Sequence, residues 1–554
     1  MVTRKITWWS AVIALGLSSV LTSGASADTK RYLVRFKSEK TFQAMARSAK
    51  PSLWDSATGS VAPMRLFNTN ASVAETFDHV GLMVIESSDA RAIESLRTHP
   101  AIALVEEEIL HPAPPRIASA SMGAQRSPAK MDTPWGVITV KAPEAWTITR
   151  GDGARVMVLD TGLDRGHQAL AGRLERGRNF TSADGEDFRD TIGHGTHVAG
   201  TILAEGLSGG LVGVAPEAKV LMGKVCMEEG CSSIAIAAGL NWAIEEKVDV
   251  VNMSLGGFFM SEGEAQAIRR AEQQGVFIAA ASGNDGTGTV SYPAAADSVL
   301  AVGAVNPDLS RAEFSQWGPE LDVVAPGVDI LSSVPQGTGR GATVEVDLTG
   351  TGSQRIKCLP FQGSPMYEAQ SLDVVFAGLG RPEDFRGLNV RGKFVLISRG
   401  EISFADKVRA AAQRGALGAL IYNNAPGLMQ GQLSEDGSEA AIPAVMIEQE
   451  VGESVRAVLS QGRPIRALVA VEATDYASFQ GTSMAAPHVA GVAALVRAAN
   501  KNLTPAEVRE VLKSTARPLE PNTENEFGAG LVDAEAAVTR ARELASDQLR
   551  RAAN

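Results

Sequence analysis

From Pro134 onward, short apolar runs recur at intervals of about one helix, and this rhythm constrains the fold more than any other feature of the chain. Val156-Met157-Val158-Leu159, Val220 to Val225, Val248 to Met253, Gly275 to Ala281 and Val299 to Gly303 hold few polar residues. A strand with one wet face alternates apolar and polar; these runs do not, so both of their faces are expected to be covered. The stretch Ser233 to Glu246 has a helical pattern and lies between two of them. Strand, helix, strand in sequence predicts an α/β fold with a doubly wound, mostly parallel sheet. Such sheets collect their functional side chains at the C-terminal ends of the strands.

The flanks follow other rules. Tyr32 to His111 reads as a small α+β unit, with strands at Tyr32–Phe36, Leu82–Ile85 and Ala101–Glu108 and a helix over Ala90–His99. Pro112 to Thr133 is rich in Pro, Ser and Ala and reads as an exposed linker. After Ser333 the strand–helix rhythm breaks. Residues 342–471 then hold strands at Gly392–Ile397, Ala419–Tyr422 and Ile442–Ile447 and a helix over Phe404–Arg414, the makings of an inserted domain. Closing helices are expected over Leu503–Thr515 and Ala534–Leu544, with residues 541–554 as a tail.

The chain begins with Arg4 and Lys5, an apolar Trp8–Leu21 too short to span a membrane comfortably, and Ala25-Ser26-Ala27. That is the order of a secretory signal, residues 1–27, and predicts an exported protein, extracellular or periplasmic, without a membrane anchor. A net charge of −11 over 554 residues argues against a nucleic-acid partner. Export permits a local disulfide between Cys226 and Cys231, and two free thiols fit the spacing equally well. Cys358 has no obvious partner.

Chemistry concentrates in a few stretches. Ser483 lies in Gly481-Thr482-Ser483-Met484-Ala485-Ala486-Pro487-His488-Val489-Ala490-Gly491, at the start of a buried helix. By itself such a serine is a helix cap. As a nucleophile it needs a base, and the chain has only 7 histidines. His194 and His197 stand among glycines in Gly193-His194-Gly195-Thr196-His197-Val198-Ala199-Gly200; no glutamate follows His194, so this is not a zinc-protease helix. Asp160 ends the first buried run and is either a turn aspartate or a site acid.

Val158-Leu159-Asp160-Thr161-Gly162, His194 to Gly200 and Gly481 to His488 resemble the catalytic motifs of the subtilisin-like serine proteases, in that family's chain order Asp, His, Ser. The resemblance covers about Pro134 to Val538 apart from the insertion. It implies that Ser483 is the nucleophile, His194 the general base and then acid, and Asp160 the group that orients His194. Asn284, in Gly283-Asn284-Asp285-Gly286, matches the family's oxyanion asparagine. Ser254-Leu255-Gly256-Gly257 resembles the segment against which a peptide substrate lies as an added strand. Ser291 matches the floor of the primary specificity pocket and leaves room for a large apolar side chain before the scissile bond, with Asp285 near the rim. His197 is expected to be structural and His488 to pack behind the Ser483 helix.

Residues 28–111 resemble the inhibitor and chaperone propeptide of subtilisins. The insertion resembles a protease-associated domain, mainly β, within a peptidase domain of residues 134–540. The implied function is a secreted serine endopeptidase of broad specificity. It is expected to be made as an autoprocessed zymogen and to act as a monomer on proteins and peptides with its own propeptide as inhibitor. No cofactor is required for the chemistry. Calcium remains an option, but the usual family site has lost its ligands: Ala169 stands for an aspartate, and Gly206 and Leu207 for asparagines. Asp184, Asp187 and Asp190 form either another ion site or a solvated acidic loop. Gly206-Leu207-Ser208-Gly209-Gly210 fits the serine elbow of esterases in letters only, because it follows a helix rather than a strand. Two other readings stand beside the protease: a binding protein on an inactive protease scaffold, and an esterase.

Overall fold

The computed structural model describes residues 29–49, 64–114, 121–123, 133–206, 210–348, 352–429, 431–434, 438–523 and 525–553. The expected signal segment, most of the expected linker and Leu207–Gly209 lie outside these residues. At the centre is a seven-stranded sheet. Its strands run, edge to edge, Val323–Pro326, Leu300–Val305, Phe277–Ala281, Val250–Met253, Arg155–Asp160, Lys219–Lys224 and Leu174–Asn179. Every neighbouring pair is parallel.

The unbroken apolar runs are explained by burial on both sides. Val156 and Val158 point into one core, and Met157 and Leu159 into the other. Phe277 and Ala279 against Ile278 and Ala280 repeat the division. The first core is closed by the helices His194–Leu203 and Thr482–Ala499. The second is closed by Ser233–Glu245 and Glu262–Gln273. Gly239 lets its helix sit close on the sheet: a Cβ there would lie 2.6 Å from Leu159 Cδ2, and the leucine side chain would have to shift.

Strand order reverses around Arg155–Asp160, whose neighbours are Val250–Met253 on one side and Lys219–Lys224 on the other. A cleft opens at such a switch point, beyond the C-terminal strand ends. Asp160, Ser254 and Asn284 all lie at or just after those ends.

The N-terminal unit is an antiparallel sheet in the order Ser72–Phe77, Leu82–Ser87, Lys30–Phe36, Ile102–Glu107. Its helices Glu39–Ala49 and Ala90–Arg97 cover one face through Phe42, Ala46, Ile93 and Leu96. The other face lays Leu33, Phe77, Leu82 and Val84 on the Ser233–Glu245 and Glu262–Gln273 helices. The acid run then acts as a clamp. Glu106 accepts hydrogen bonds from the Glu262 and Gly263 amides at 3.1 and 2.9 Å. Glu108 accepts one from the hydroxyl of Ser232, the N-cap of the neighbouring helix. Two helix N-termini thus meet two carboxylates, the charge that a helix dipole favours there.

The insertion is entered and left by one antiparallel pair, Gly339–Val346 with Arg466–Thr474, in register from Gly339↔Thr474 to Val346↔Ala467. The domain therefore begins and ends slightly outside residues 342–471. Within it, Phe394–Ser398, Gly418–Tyr422 and Ala444–Ile447 are parallel. The helix Phe404–Gln413 packs on one face of these strands, and Gln449–Ser460, which sequence reading does not anticipate, on the other.

Two expectations need correction. The linker is not wholly irregular: residues 121–123 pair in parallel with Arg340–Ala342. That tripeptide lacks proline, so its amides are free to join an exposed edge. Residues 541–554 are not a separate tail either. The helix Ala534–Ala553 runs through them, with Ala541 fully buried in the main core. Among the described residues no helix is long and apolar enough to cross a membrane. Cys226 and Cys231 form a disulfide, and Cys358 is a buried free thiol whose pKa burial pushes up to about 12.

Candidate active site

His194 opens the helix His194–Leu203, preceded by Gly193 at φ 96°. Asp190 fixes that helix start. Its carboxylate accepts from the amides of Ile192, Gly193 and Thr196 at 3.1, 2.5 and 2.8 Å and from Thr196 Oγ1 at 2.7 Å. Thr161 Oγ1 donates to Asp190 at 2.9 Å and accepts from the Gly195 amide at 2.9 Å. Asp160 and the His194 turn are thereby held together through the side chain next to Asp160. Asp190 is thus a buried capping acid, not part of a solvated acidic loop. Asp187 is paired with Arg189 at 2.7 and 2.9 Å.

His194 Nδ1 donates to Asp160 at 2.8 and 3.0 Å. Both side chains are buried, and Asp160 Oδ1 also accepts from the Thr161 amide at 2.7 Å. Burial disfavours the imidazolium, the Asp160 charge and hydrogen bond favour it, and the net effect lifts His194 above the ordinary histidine value. His194 Nε2 is buried without a partner. Of this ring's two nitrogens, only Nε2 remains open to a further partner.

Ser483 is the second residue of the Thr482–Ala499 helix, which packs against the His194 helix. Its Oγ donates to Ser254 O at 3.1 Å, and Ser254 Oγ donates to Ser483 O at 2.8 Å. Asn284 Oδ1 accepts from Thr482 N and Oγ1, both at 2.9 Å. This tie leaves the exposed Nδ2 amide without a described protein partner, beside the turn that leads into Ser483.

The remaining expected residues follow the strand ends at Met253 and Ala281. Leu255 is buried, and Gly256 passes so close to Tyr292 that a Cβ would lie 2.5 Å from Tyr292 O. Gly257 and Tyr292 exchange backbone bonds at 2.8 Å. Ser291 is buried, with Oγ 3.3 Å from Gln316 Oε1. Gln316 is fully buried and also accepts from the Asp285 amide at 3.3 Å, so it ties Ser291 to the Asn284-Asp285 turn. Sequence reading misses it because an isolated glutamine carries no spacing signal.

His197 and His488 both make ring hydrogen bonds. His197 Nε2 donates to Ile330 O or Ala477 O, at 2.9 and 3.2 Å, and the ring stacks on Phe479. Burial depresses its pKa to about 3, so the ring is neutral, and its hydrogen bonds and stacking give it a structural place. His488 Nδ1 donates to Met484 O at 2.8 Å, and burial depresses its pKa to about 4. Ala169 is buried with Ala204, Leu211 and Tyr476, a set that does not suit a hard cation needing several oxygens.

The family model described as "Subtilase family" matches residues 151–364 and 465–530, and the model described as "PA domain" matches residues 365–455. The chain is 35% identical to subtilisin E of Bacillus subtilis (strain 168) over 351 residues, covering 60% of this chain and 83% of that one. It is 45% identical over 215 residues to an intracellular serine protease of Paenibacillus polymyxa, covering 37% of this chain and 66% of that one. The crystal structure of the psychrophilic subtilisin-like protease Apa1 from the Antarctic psychrotroph Pseudoalteromonas sp. AS-11 superposes with a TM-score of 0.58 at 29% identity. It covers 76% of this chain and 99% of that one. With the fold and cleft already described, these matches establish the chain as a serine protease of the subtilase family with a PA domain inserted in its peptidase domain.

Proposed function

We propose that the chain is a secreted endopeptidase, made as a zymogen, in which Ser483 attacks the scissile carbonyl. His194 Nε2 takes the Ser483 proton and returns it to the leaving amine. Asp160 holds Nδ1–H and stabilises the imidazolium formed in between. The Ser483 amide and Asn284 Nδ2 receive the oxyanion. Substrate lies along Ser254-Leu255-Gly256, with the side chain before the scissile bond against Ser291. The N-terminal unit, whose last strand Leu110–His111 pairs with Gly230–Ser232, is read as the inhibitor propeptide, removed by the enzyme itself. The protein acts as a monomer, and the chemistry needs no metal.

The observation that carries this reading is the His194 ring, with Nδ1 on buried Asp160 and Nε2 unpaired. Ser483→Ala is the test. Casein hydrolysis is expected to fall by about 10⁶-fold, the scale known for subtilisin itself and carried over to this chain. The same variant should keep its N-terminal unit attached, as read by the mass of the purified chain. Undiminished hydrolysis would sink the proposal.

A further inference from the structure

Glu264 stands three residues after Ser261, the N-cap of the Glu262–Gln273 helix. In a helix that starts Ser-x-x-Glu, the glutamate ordinarily reaches back to the N-cap amide. Thr504 and Glu507 form that reciprocal pair in this chain. Glu264 does not. Ser261 Oγ accepts from the Glu264 amide at 3.0 Å, but the Glu264 carboxylate turns away and meets His111 Nε2 at 2.8 Å. The side chains of Glu264 and His111 are 0% and 1% exposed. Oε1 of Glu264 is buried with no partner. A desolvated carboxylate with one idle oxygen is costly unless a cation faces it.

His111 arrives there as part of an added strand. It is paired with Cys231, and the Ser233 amide donates to Ile109 O at 2.9 Å. On its other side runs the continuation of Ser254-Leu255-Gly256: a Cβ on Gly257 would lie 3.3 Å from His111 Nδ1 and 3.2 Å from Pro112 Cδ. His111 thus lies in a groove between the Gly230–Ser232 strand, which its backbone joins, and Gly257, which its ring approaches. An extended peptide filling that groove would place one side chain over Glu264.

We infer that Glu264 forms the floor of a substrate subsite selecting a cationic side chain, arginine foremost, on the amino-terminal side of the scissile bond. This rests on the protease reading and names a substrate class within it. His111 presents one N–H to the carboxylate. A guanidinium presents two parallel N–H groups and would engage Oε1 as well as Oε2. Burial disfavours a charged His111, the Glu264 hydrogen bond and charge favour it, and the net shift is upward, consistent with a subsite that holds a cation. A leucine in the same place would leave the whole carboxylate buried and unpaired, so apolar residues are disfavoured here although they suit the Ser291 pocket.

The test uses the processed enzyme and a set of quenched fluorescent peptides. These place Arg, Lys, Leu or Asp at each position from two to five residues before the cut. The wild type should favour Arg over Leu by about tenfold or more in kcat/KM at one of these positions, the scale expected for a buried charge pair. Glu264→Leu should remove or reverse that preference, and Glu264→Gln, which keeps the shape, should weaken it. Absence of any cationic preference in the wild type overturns the inference, whatever the variants do. So does a preference that survives in both variants. Casein hydrolysis, with and without Ser483→Ala, is measured in parallel. If no hydrolysis depends on Ser483, the protease reading falls and the subsite falls with it. If casein is cut but cations are not favoured, only the subsite falls.

Discussion

Pro487 lacks an N–H, and this shapes the backbone at Ser483. In a regular helix the Ser483 carbonyl would accept from residue 487. Here the freed carbonyl accepts instead from Ser254 Oγ, while Ser483 Oγ donates to Ser254 O. The strand end and the helix start are therefore tied by two bonds, and the proposed nucleophile rests on one of them. In the proposed reaction the hydroxyl gives up this bond for His194 Nε2, which is buried without a partner. The pH dependence follows from the state of that ring. The proposed base works only when neutral, and its pKa is raised above the ordinary histidine value of about 6.5 by Asp160 against the effect of burial. kcat/KM should therefore be lost as pH falls through that raised value, with its acid limb above about 6.5. Stability runs the other way: the His194⁺–Asp160 pair contributes fully below the unfolded-state pKa and is lost as pH rises through the folded one. An acid limb well below that of free histidine, read from peptide hydrolysis between pH 5 and 9, would contradict the Asp160 assignment.

At the scale of elements, the contacts that matter most are between stretches far apart in sequence. Glu106 caps a helix that begins at residue 262, and Glu108 bonds the N-cap of one that begins at residue 233. The strand containing Glu106 was legible as an apolar run ending in acid, but its acids showed only as the end of a unit, because their partners, two helix amides and a capping serine, lie more than 120 residues on. The same holds for Asp190, which reads as one of several loop acids until the His194 turn closes on it. The Asp160, His194 and Ser483 motifs were legible because each carries its own local geometry: a strand end, a glycine-flanked helix start and a buried helix of small residues. Glu106→Ala should cost about 1 kcal/mol, the typical worth of a helix cap. In the Ser483→Ala chain, which is expected to keep the N-terminal unit in place, hydrogen exchange at the Glu262 and Gly263 amides should quicken by about fivefold. Unchanged exchange there would mean that Glu106 does not hold the docked unit.

At the scale of the whole molecule, the insertion enters and leaves the peptidase domain side by side. Ile330–Ser333 pairs with Tyr476–Phe479 in the body of the protease, and the ribbon continues as Gly339–Val346 with Arg466–Thr474 in the inserted domain. The first pair is held from the protease side. His197 faces carbonyls on both its strands, Ser332 Oγ donates to His197 O at 2.7 Å, and Ser333 Oγ donates to Thr196 O at 3.0 Å. The inserted domain has its own cores, built from Phe394, Leu396 and Tyr422 on one face and Val395, Ile397 and Val408 on the other. Its helix Gln449–Ser460 covers one of these faces, and its acidic and amide residues hide that role from a strand–helix reading of the sequence. Because Gly339 and Thr474 are direct pairing partners, residues 340–473 can be replaced by a two-residue turn of the kind that closes a hairpin. The shortened chain should fold and cut short peptides within a few-fold of the parent rate, since every group assigned to the chemistry lies outside the deletion. Casein hydrolysis should rise relative to peptide hydrolysis if the domain restricts access to the Ser483 cleft, and fall if it recruits protein substrates. An equal change in both rates would show that the insertion supports the peptidase fold rather than governing what reaches it, and the thermal midpoint of the shortened chain would then drop as well.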